Sequence, residues 1–392
     1  MLKLSKIFFS SDGQDHFSSR IEPSEGQRDF LVKCKNDIRD HLRPRIEKAT
    51  VAVLGMGNAV SPKFRTQGSW SYKTCVQPPF LPPQEIDWDY GVYLPVKVWE
   101  ENGPPKEMAK AYFKLVENLL TDLCREKKWK LVAGKATCIR VQVANWAHID
   151  IPLYAAPEQE FVQIMEKAAL AARADSIAKD SSRFIASADF GEIPEQIWEE
   201  LDHIVLATRT GEWKNSDPED VARWFNDRVK EHTEQLRRVC CYLKGWRDYQ
   251  WRDGGGPTSV SIMIAVAQTF EPQRGRDDLA LEKAAAHLSK AILGELRERG
   301  IDNGAEDFNS RLSAEDKTLA AQKARELASM LQQARSQAPH LKQLAIANLQ
   351  KQFGARIPDR IDLIEIDSGA ETVRATPAQR VTAPVVLATN AG

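Results

Sequence analysis

The chain has 392 residues, 42% hydrophobic and 28% charged, with 54 Lys plus Arg against 55 Asp plus Glu. That length suits two packed lobes or one large α/β unit, and the near-zero net charge argues against a broad electrostatic coat for long DNA or RNA while permitting a local basic pocket. No apolar run reaches the ~18 residues of a transmembrane helix. The start, MLKLSKIFFSSDGQDHF, has neither a long apolar core nor a small-residue cleavage site, so no signal peptide is expected. Cysteines at 34, 75, 124, 138, 240 and 241 form no CxxC pair and no metal spacing with the seven histidines. This pattern predicts reduced thiols in a cytoplasm, not a disulfide framework or zinc site.

In chain order, residues 24–49 carry Phe30, Leu31, Ile38, Leu42 and Ile46 at roughly helical spacing and predict a long helix. TVAVL at 50–54 predicts a buried strand. A glycine- and proline-bearing stretch runs to Ser69. The loop Pro78-Pro79-Phe80-Leu81-Pro82-Pro83 cannot be regular structure, because proline lacks a backbone donor, and it leads into a strand over 86–94. A helix is expected over 106–128, strands near 129–133 and 137–144, and a further strand segment over 147–154. These elements predict a small mixed sheet backed by helices.

The second half predicts helices over 157–180, 193–205, 218–252, 258–270, 278–299 and 313–353. The end of 218–252 is basic, with Arg237, Arg238, Lys244, Arg247 and Arg252 against Asp248. From about 368 the chain is rich in Ala, Thr, Val and Pro with weak periodicity, and a flexible extension is expected. No internal repeat is visible. The run Gly55-Met56-Gly57-Asn58-Ala59-Val60 imitates a dinucleotide-binding start. It fails because valine stands at 60 and Pro62 interrupts the next segment. No GxxxxGK[ST] motif occurs.

The chemistry concentrates in Ile86-Asp87-Trp88-Asp89-Tyr90-Gly91. With a period of two, Asp87 and Asp89 share one face of a strand and Trp88 takes the other. Two like charges on a half-buried strand are costly unless paired with cations or bound to metal. Asp150, in His148-Ile149-Asp150-Ile151-Pro152, would add a third carboxylate and complete a site for two divalent cations. The plainer alternative is that the acids pair with arginines at a strand end. His148 shares a strand face with Asp150 and is left unassigned. Gly68-Ser69 suits a turn whose N–H groups hold a phosphate. Lys244, between Leu243 and Trp246, is expected to point into a cleft unless it is a solvated helix lysine. Thr258 or Ser259 would cap the following helix, whose N-terminus also suits a triphosphate. Together these parts predict a metal-dependent nucleotidyltransferase.

Gly68-Ser69 with Tyr72 and Thr74, then Asp87 and Asp89, Asp150, the Leu-Lys-Gly-Trp helix and the Pro-Thr-Ser helix start resemble the bacterial cGAS/DncV-like nucleotidyltransferases of the polymerase-β-like superfamily. The resemblance covers roughly residues 24–300, and the run from Leu236 to Trp251 resembles the DncV branch. It implies an α+β fold: a polymerase-β-like nucleotidyltransferase core of mixed sheet and helices joined to a C-terminal helical lobe. The implied division is 1–160 for the core with an N-terminal spine helix, 161–367 for the helical lobe closing the nucleotide cleft, and 368–392 for the tail.

The same resemblance implies two Mg²⁺ ions, replaceable by Mn²⁺, on Asp87, Asp89 and Asp150. It places Gly68, Ser69, Tyr72, Thr74, Lys244 and Ser259 on the nucleotide. The implied activity joins ATP, GTP or both into a cyclic di- or trinucleotide, read by an effector in antiphage defence. No membrane and no long nucleic acid are implied. Gly392 would be a conjugation handle for ubiquitin-like E1/E2 enzymes, the plainer alternative being an ordinary frayed terminus. Other readings are a silent nucleotide-binding sensor or scaffold, and a terminal transferase making linear oligonucleotides or extending RNA.

Overall fold

The computed structural model describes residues 1–97, 106–160, 204–215 and 218–366. It begins with β1 (Leu2–Lys3), α1 (Ser5–Phe8) and α2 (Phe17–Ile21), then α3 (Glu25–Ala52). Ser24 starts α3 through a reciprocal capping box with Gln27, which satisfies two of the donors orphaned at a helix start. Then come β2 (Lys63–Gln67), the short α4 (Gly68–Ser71), β3 (Ile86–Val96), α5 (Lys106–Lys127), β4 (Lys130–Val132), β5 (Ile139–Ala144), β6 (Ala147–Ile151) and β7 (Leu153–Pro157). Past the undescribed stretch lie β8 (Val205–Ala207) and β9 (Trp213–Asn215), then α6 (Pro218–His232), α7 (Glu234–Gln250), α8 (Ser259–Ala267), α9 (Asp277–Ala291), α10 (Ala314–Ser336), α11 (Lys342–Phe353) and β10 (Glu365–Ile366). The molecule is α+β, as expected.

β3 is the spine of the sheet. β6 runs parallel to its first half and β7 parallel to its second, while β2 lies antiparallel along its middle. Asp89 is in register with both Gln67 of β2 and Asp150 of β6, so β3 has a neighbour on each side at the acids. β4 and β5 extend the sheet beyond β6, and β8 and β9 extend it beyond β7.

Two apolar cores divide the described residues. One packs α3 and α5 against the sheet through Leu31, Ile38, Leu42, Tyr112 and Leu120, and it includes Val205 and Ala207 of β8. The other joins α6–α11 and takes in Leu2, Leu4, Ile7, Phe8, Phe17 and Ile21 from the N-terminus. The first 21 residues pack with the helices, and β8 packs with the sheet.

Several expectations change. Residues 50–52 are the last turn of α3, not a strand over 50–54, and Val51 and Val53 are exposed. Thr50 donates its hydroxyl to the Glu47 carbonyl, a bond that suits helix, so local geometry overrides the β-branched run. β2 falls inside the stretch read as loop. Its Arg65 forms a buried ion pair with Glu219 of α6, which hides strand character behind charge.

The expected helix 218–252 breaks at Thr233, whose φ of 70° is left-handed. The expected 313–353 breaks at residues 337–341 around Pro339. Of 193–205, the last residue is in a strand. The bulk of 157–180 and the tail with Gly392 lie outside the described residues. Among the described residues no helix is long and apolar enough to cross a membrane.

Candidate active site

The parallel pairing of β3 with β6 places Asp87 beside His148 and Asp89 beside Asp150. β5, antiparallel to β6, adds Arg140 beside Asp150 and Gln142 beside His148. All of these residues obey the same strand alternation, so they gather on one face. Trp88 goes to the opposite face and stacks on Trp70 at 4.1 Å. Trp70 Nε1 donates to the Asp87 carbonyl at 2.8 Å, which ties the Gly68–Ser71 turn to the acid-bearing strand.

Gly68 is required twice. Its φ of +61° favours glycine, and a Cβ there would collide with the Asp89 carboxylate. The turn therefore sits directly against an acid.

The three carboxylates differ in their partners. Asp150 accepts two bonds from the Arg140 guanidinium, both 2.7 Å, with Lys135 3.6 Å away. Burial works against its charge, but the Arg140 bonds and charge prevail and hold it below the usual carboxylate range. Asp87 is 47% exposed along its side chain and lies 2.9 Å from His148 Nε2. Asp89 is pushed up to about 8 by burial first, then by the negative charges of Asp87 and Asp150.

The arginine-pairing alternative thus holds for Asp150 alone. Asp89 lies among like charges, and a divalent cation would relieve that repulsion. The oxygen donors suit a hard cation such as Mg²⁺. One ligand atom each from Asp87, His148 and Asp150 lie within 4.8 Å of one another, so the residues fit a metal.

Asp87 and Asp89 open on a cavity of about 570 Å³ between the sheet and the helices. Ser69, Tyr72, Lys244 and Ser259 line it with Asp87 and Asp89. Lys244 is only 3% exposed, and its ammonium donates to the Thr74 carbonyl at 2.5 Å and to Thr74 Oγ1 at 3.3 Å. Burial lowers its pKa. Thr74 is fully buried and anchors Lys244; it is not among the cavity-lining residues. Thr258, not Ser259, is the N-cap of α8. Ser259 Oγ instead accepts from Arg247 at 3.1 Å.

The sequence reading missed Glu85, Arg140, Arg247, Trp251 and Arg311 as site residues. Glu85 had a signal: 85, 87 and 89 share one alternation phase. Arg247, Trp251 and Arg311 line the cavity from α7, its C-terminal end and the loop before α10, where only tertiary structure brings them.

Comparison with known proteins agrees with this geometry. Residues 62–154 match the family model described as the nucleotidyltransferase domain of cyclic GMP-AMP synthase DncV-like proteins. Residues 233–366 match the model for the cyclic GMP-AMP synthase C-terminal domain. A cyclic GMP-AMP synthase of Escherichia coli (strain TW11681) is 35% identical over 257 residues, covering 64% of this chain and 57% of the relative. One from Vibrio cholerae serotype O1 is 38% identical over 231 residues, covering 54% and 48%. The chain thus spans about half the length of the curated relatives it matches.

The crystal structure of Vibrio cholerae DncV cyclic AMP-GMP synthase superposes with a TM-score of 0.73 at 24% identity, covering 94% of this chain and 100% of that one. The same enzyme with a linear intermediate, 5' pppA(3',5')pG, gives 0.74 at 24% identity, covering 94% and 99%. At that identity the likeness establishes the fold alone, a mixed sheet backed by helices and joined to a C-terminal helical region. With both of its parts matched and its acids on neighbouring parallel strands, the chain belongs to the DncV-like nucleotidyltransferase family.

Proposed function

We propose that this protein is a cyclic oligonucleotide synthase that joins ATP, GTP or both into a cyclic dinucleotide of the cyclic GMP-AMP type. The observation that carries the reading is the register of Asp89 with Asp150 across parallel strands, with Asp87 and Asp89 lining a cavity that Lys244, Arg247 and Ser259 also line. Relatives described as cyclic GMP-AMP synthases support the same product class.

Asp87, Asp89 and Asp150 would hold two Mg²⁺ ions, with Mn²⁺ a substitute. When bound, these lower the pKa of a ribose hydroxyl and neutralise charge on the α-phosphate and the leaving pyrophosphate. The protein's own groups position. Gly68 and Ser69 hold the donor triphosphate where the turn touches Asp89. Lys244 and Ser259 grip its phosphates from the helices, and Tyr72 shapes the wall between. Asp150, fixed by Arg140, stands beside the attacking hydroxyl. No protein nucleophile is needed, because positioning and charge neutralisation dominate phosphoryl transfer. Antiphage signalling through an effector, and E1/E2-type conjugation at Gly392, are part of the proposal by resemblance to the family.

The test incubates the purified chain with labelled ATP and GTP and Mg²⁺. A phosphatase-resistant product is expected, and its mass identifies the bases and ring size. Products that are only linear and phosphatase-sensitive would replace cyclisation with linear-oligonucleotide synthesis. Absence of pyrophosphate release with Mg²⁺ would favour the silent sensor.

A further inference from the structure

His148 stands among the acids with one ring nitrogen engaged and the other not. Nδ1 lies 2.5 Å from Glu85 Oε2, and Glu85 is itself held by Gln142. An ionised carboxylate only accepts, so Nδ1 carries the proton and the ring orientation is fixed. That leaves Nε2 aimed at the acid cluster. The side chain is 7% exposed, and Nε2 is buried without a hydrogen bond. The Asp87 carboxylate is 2.9 Å away, but not aligned as a hydrogen bond.

Nε2 faces the Asp87 carboxylate and no donor, so what engages both atoms must be electrophilic, a proton or a metal cation. Donor atoms of Asp87, His148 and Asp150 lie within 4.8 Å of one another. A single cation with ligand distances of about 2.0 to 2.4 Å spans that separation.

We propose that His148 Nε2 is a direct metal ligand alongside Asp87 and Asp150, and that Glu85 is the positioning residue that sets its tautomer and aim. The inference rests on reading the cavity as a metal-dependent nucleotidyl-transfer site. Carboxylate–histidine–metal chains are a recurring way to orient a ligand and raise its basicity. An imidazole ligand also changes metal preference. Mg²⁺ favours oxygen ligands and keeps its water, whereas imidazole suits borderline transition metals. This position therefore favours Mn²⁺ over Mg²⁺, and Asp89 is left to serve a second, all-oxygen ion.

The test is pulsed electron paramagnetic resonance of Mn²⁺ on the full chain, stripped with EDTA and reloaded with Mn²⁺ alone or with inorganic tripolyphosphate, which contains no nitrogen. Wild-type protein is expected to show directly bonded ¹⁴N coupling that changes to the ¹⁵N pattern when histidine is ¹⁵N-labelled. His148→Gln should abolish the coupling while Mn²⁺ still binds, more weakly. Glu85→Gln should keep the coupling but weaken Mn²⁺ affinity by about 10-fold or more, as removal of outer-shell partners does. Mn²⁺ bound without nitrogen coupling would overturn the proposal alone, leaving His148 as an internal cation for Asp87. Coupling that persists in Asp87→Ala with His148→Gln would place the ion elsewhere and also overturn it. No Mn²⁺ binding under either condition would overturn both this proposal and the metal-dependent reading.

Discussion

Two pairs of adjacent acids, one at the start of α9 and one on β3, are treated in opposite ways. At the start of α9, Asp277 accepts from Gln235, Tyr242 and both Nε and Nη2 of Arg238. Its neighbour Asp278 accepts from the Leu4 amide, Ser5 Oγ and Arg276. Burial alone would raise the Asp278 pKa, but the bonds from Arg276 and Ser5 prevail and lower it. On β3, Asp89 is raised to about 8, chiefly by burial and by its acidic neighbours. The two sites contain the same residue type, but the α9 acids are buried and the β3 acids line a cavity. Saturated hydrogen bonding marks carboxylates that hold the chain together, and uncompensated charge marks carboxylates kept for an exogenous cation.

The largest effect should come from removing charge where it is uncompensated. Asp89→Asn should lower synthesis at saturating NTP and Mg²⁺ by about 10³-fold or more, the scale of losing a principal charge stabiliser in phosphoryl transfer. Its melting temperature without metal should equal or exceed wild type, because like-charge repulsion is removed. A variant that retains activity, or that unfolds, would place Asp89 with the structural acids.

The reverse pattern is expected at α9. Asp278→Ala strips the acceptor from a buried amide and the Ser5 hydroxyl, and takes one partner from Arg276, which should cost about 3 kcal/mol of stability. Activity of the folded fraction at low temperature should stay near wild type. Chemical denaturation and specific activity together check both halves.

Lys244 tests the helical wall of the cavity. Lys244→Ala should raise the KM for NTP by about tenfold with a smaller change in kcat, since a charge-assisted bond of about 1.5 kcal/mol made in both ground and transition states is lost. The structure adds a consequence: the Thr74 carbonyl loses its donor, so a modest drop in melting temperature should accompany the kinetic change. A stability loss with unchanged KM would reduce Lys244 to an anchor for the Thr74 segment.

How far the sequence revealed this contrast follows from how each site is built. Asp87, Asp89 and Asp150 sit on strands, where a period of two and a parallel register turn spacing into geometry. The same rule extended one step upstream would have found Glu85. Arg65 and Glu219 were illegible because their charges cancel only across β2 and α6. The break at Thr233 carries no glycine or proline to announce it. Residues 50–54 misled because β-branched composition outweighed the helix already running through them. Asp277-Asp278 is as acidic in sequence as the Asp87 pair, and its structural role emerges only when Leu4 and Ser5, 274 and 273 residues distant, fold against it.

The smallest effect, and the sharpest form of the contrast, is its pH dependence in metal-free protein. Asp278 has a folded pKa below its unfolded value of about 3.9. The native state therefore binds fewer protons than the unfolded chain in that range, and stability rises with pH there. This contribution is fully present above about pH 4 and is lost as pH falls through the depressed folded value. Asp89 has the opposite sign. Its folded pKa lies above the unfolded value, so between about pH 4 and about pH 8 the native state binds more protons, and stability declines as pH rises. Thermal melts of EDTA-treated wild type should thus weaken from mildly acidic pH toward pH 8, and Asp89→Asn should flatten that decline while leaving the acid-side loss intact. Excess Mg²⁺ should restore stability most at the alkaline end, where the carboxylate is ionised and a cation has the most repulsion to relieve. An alkaline decline that is identical in Asp89→Asn would show that Asp89 is not the group strained by its neighbours.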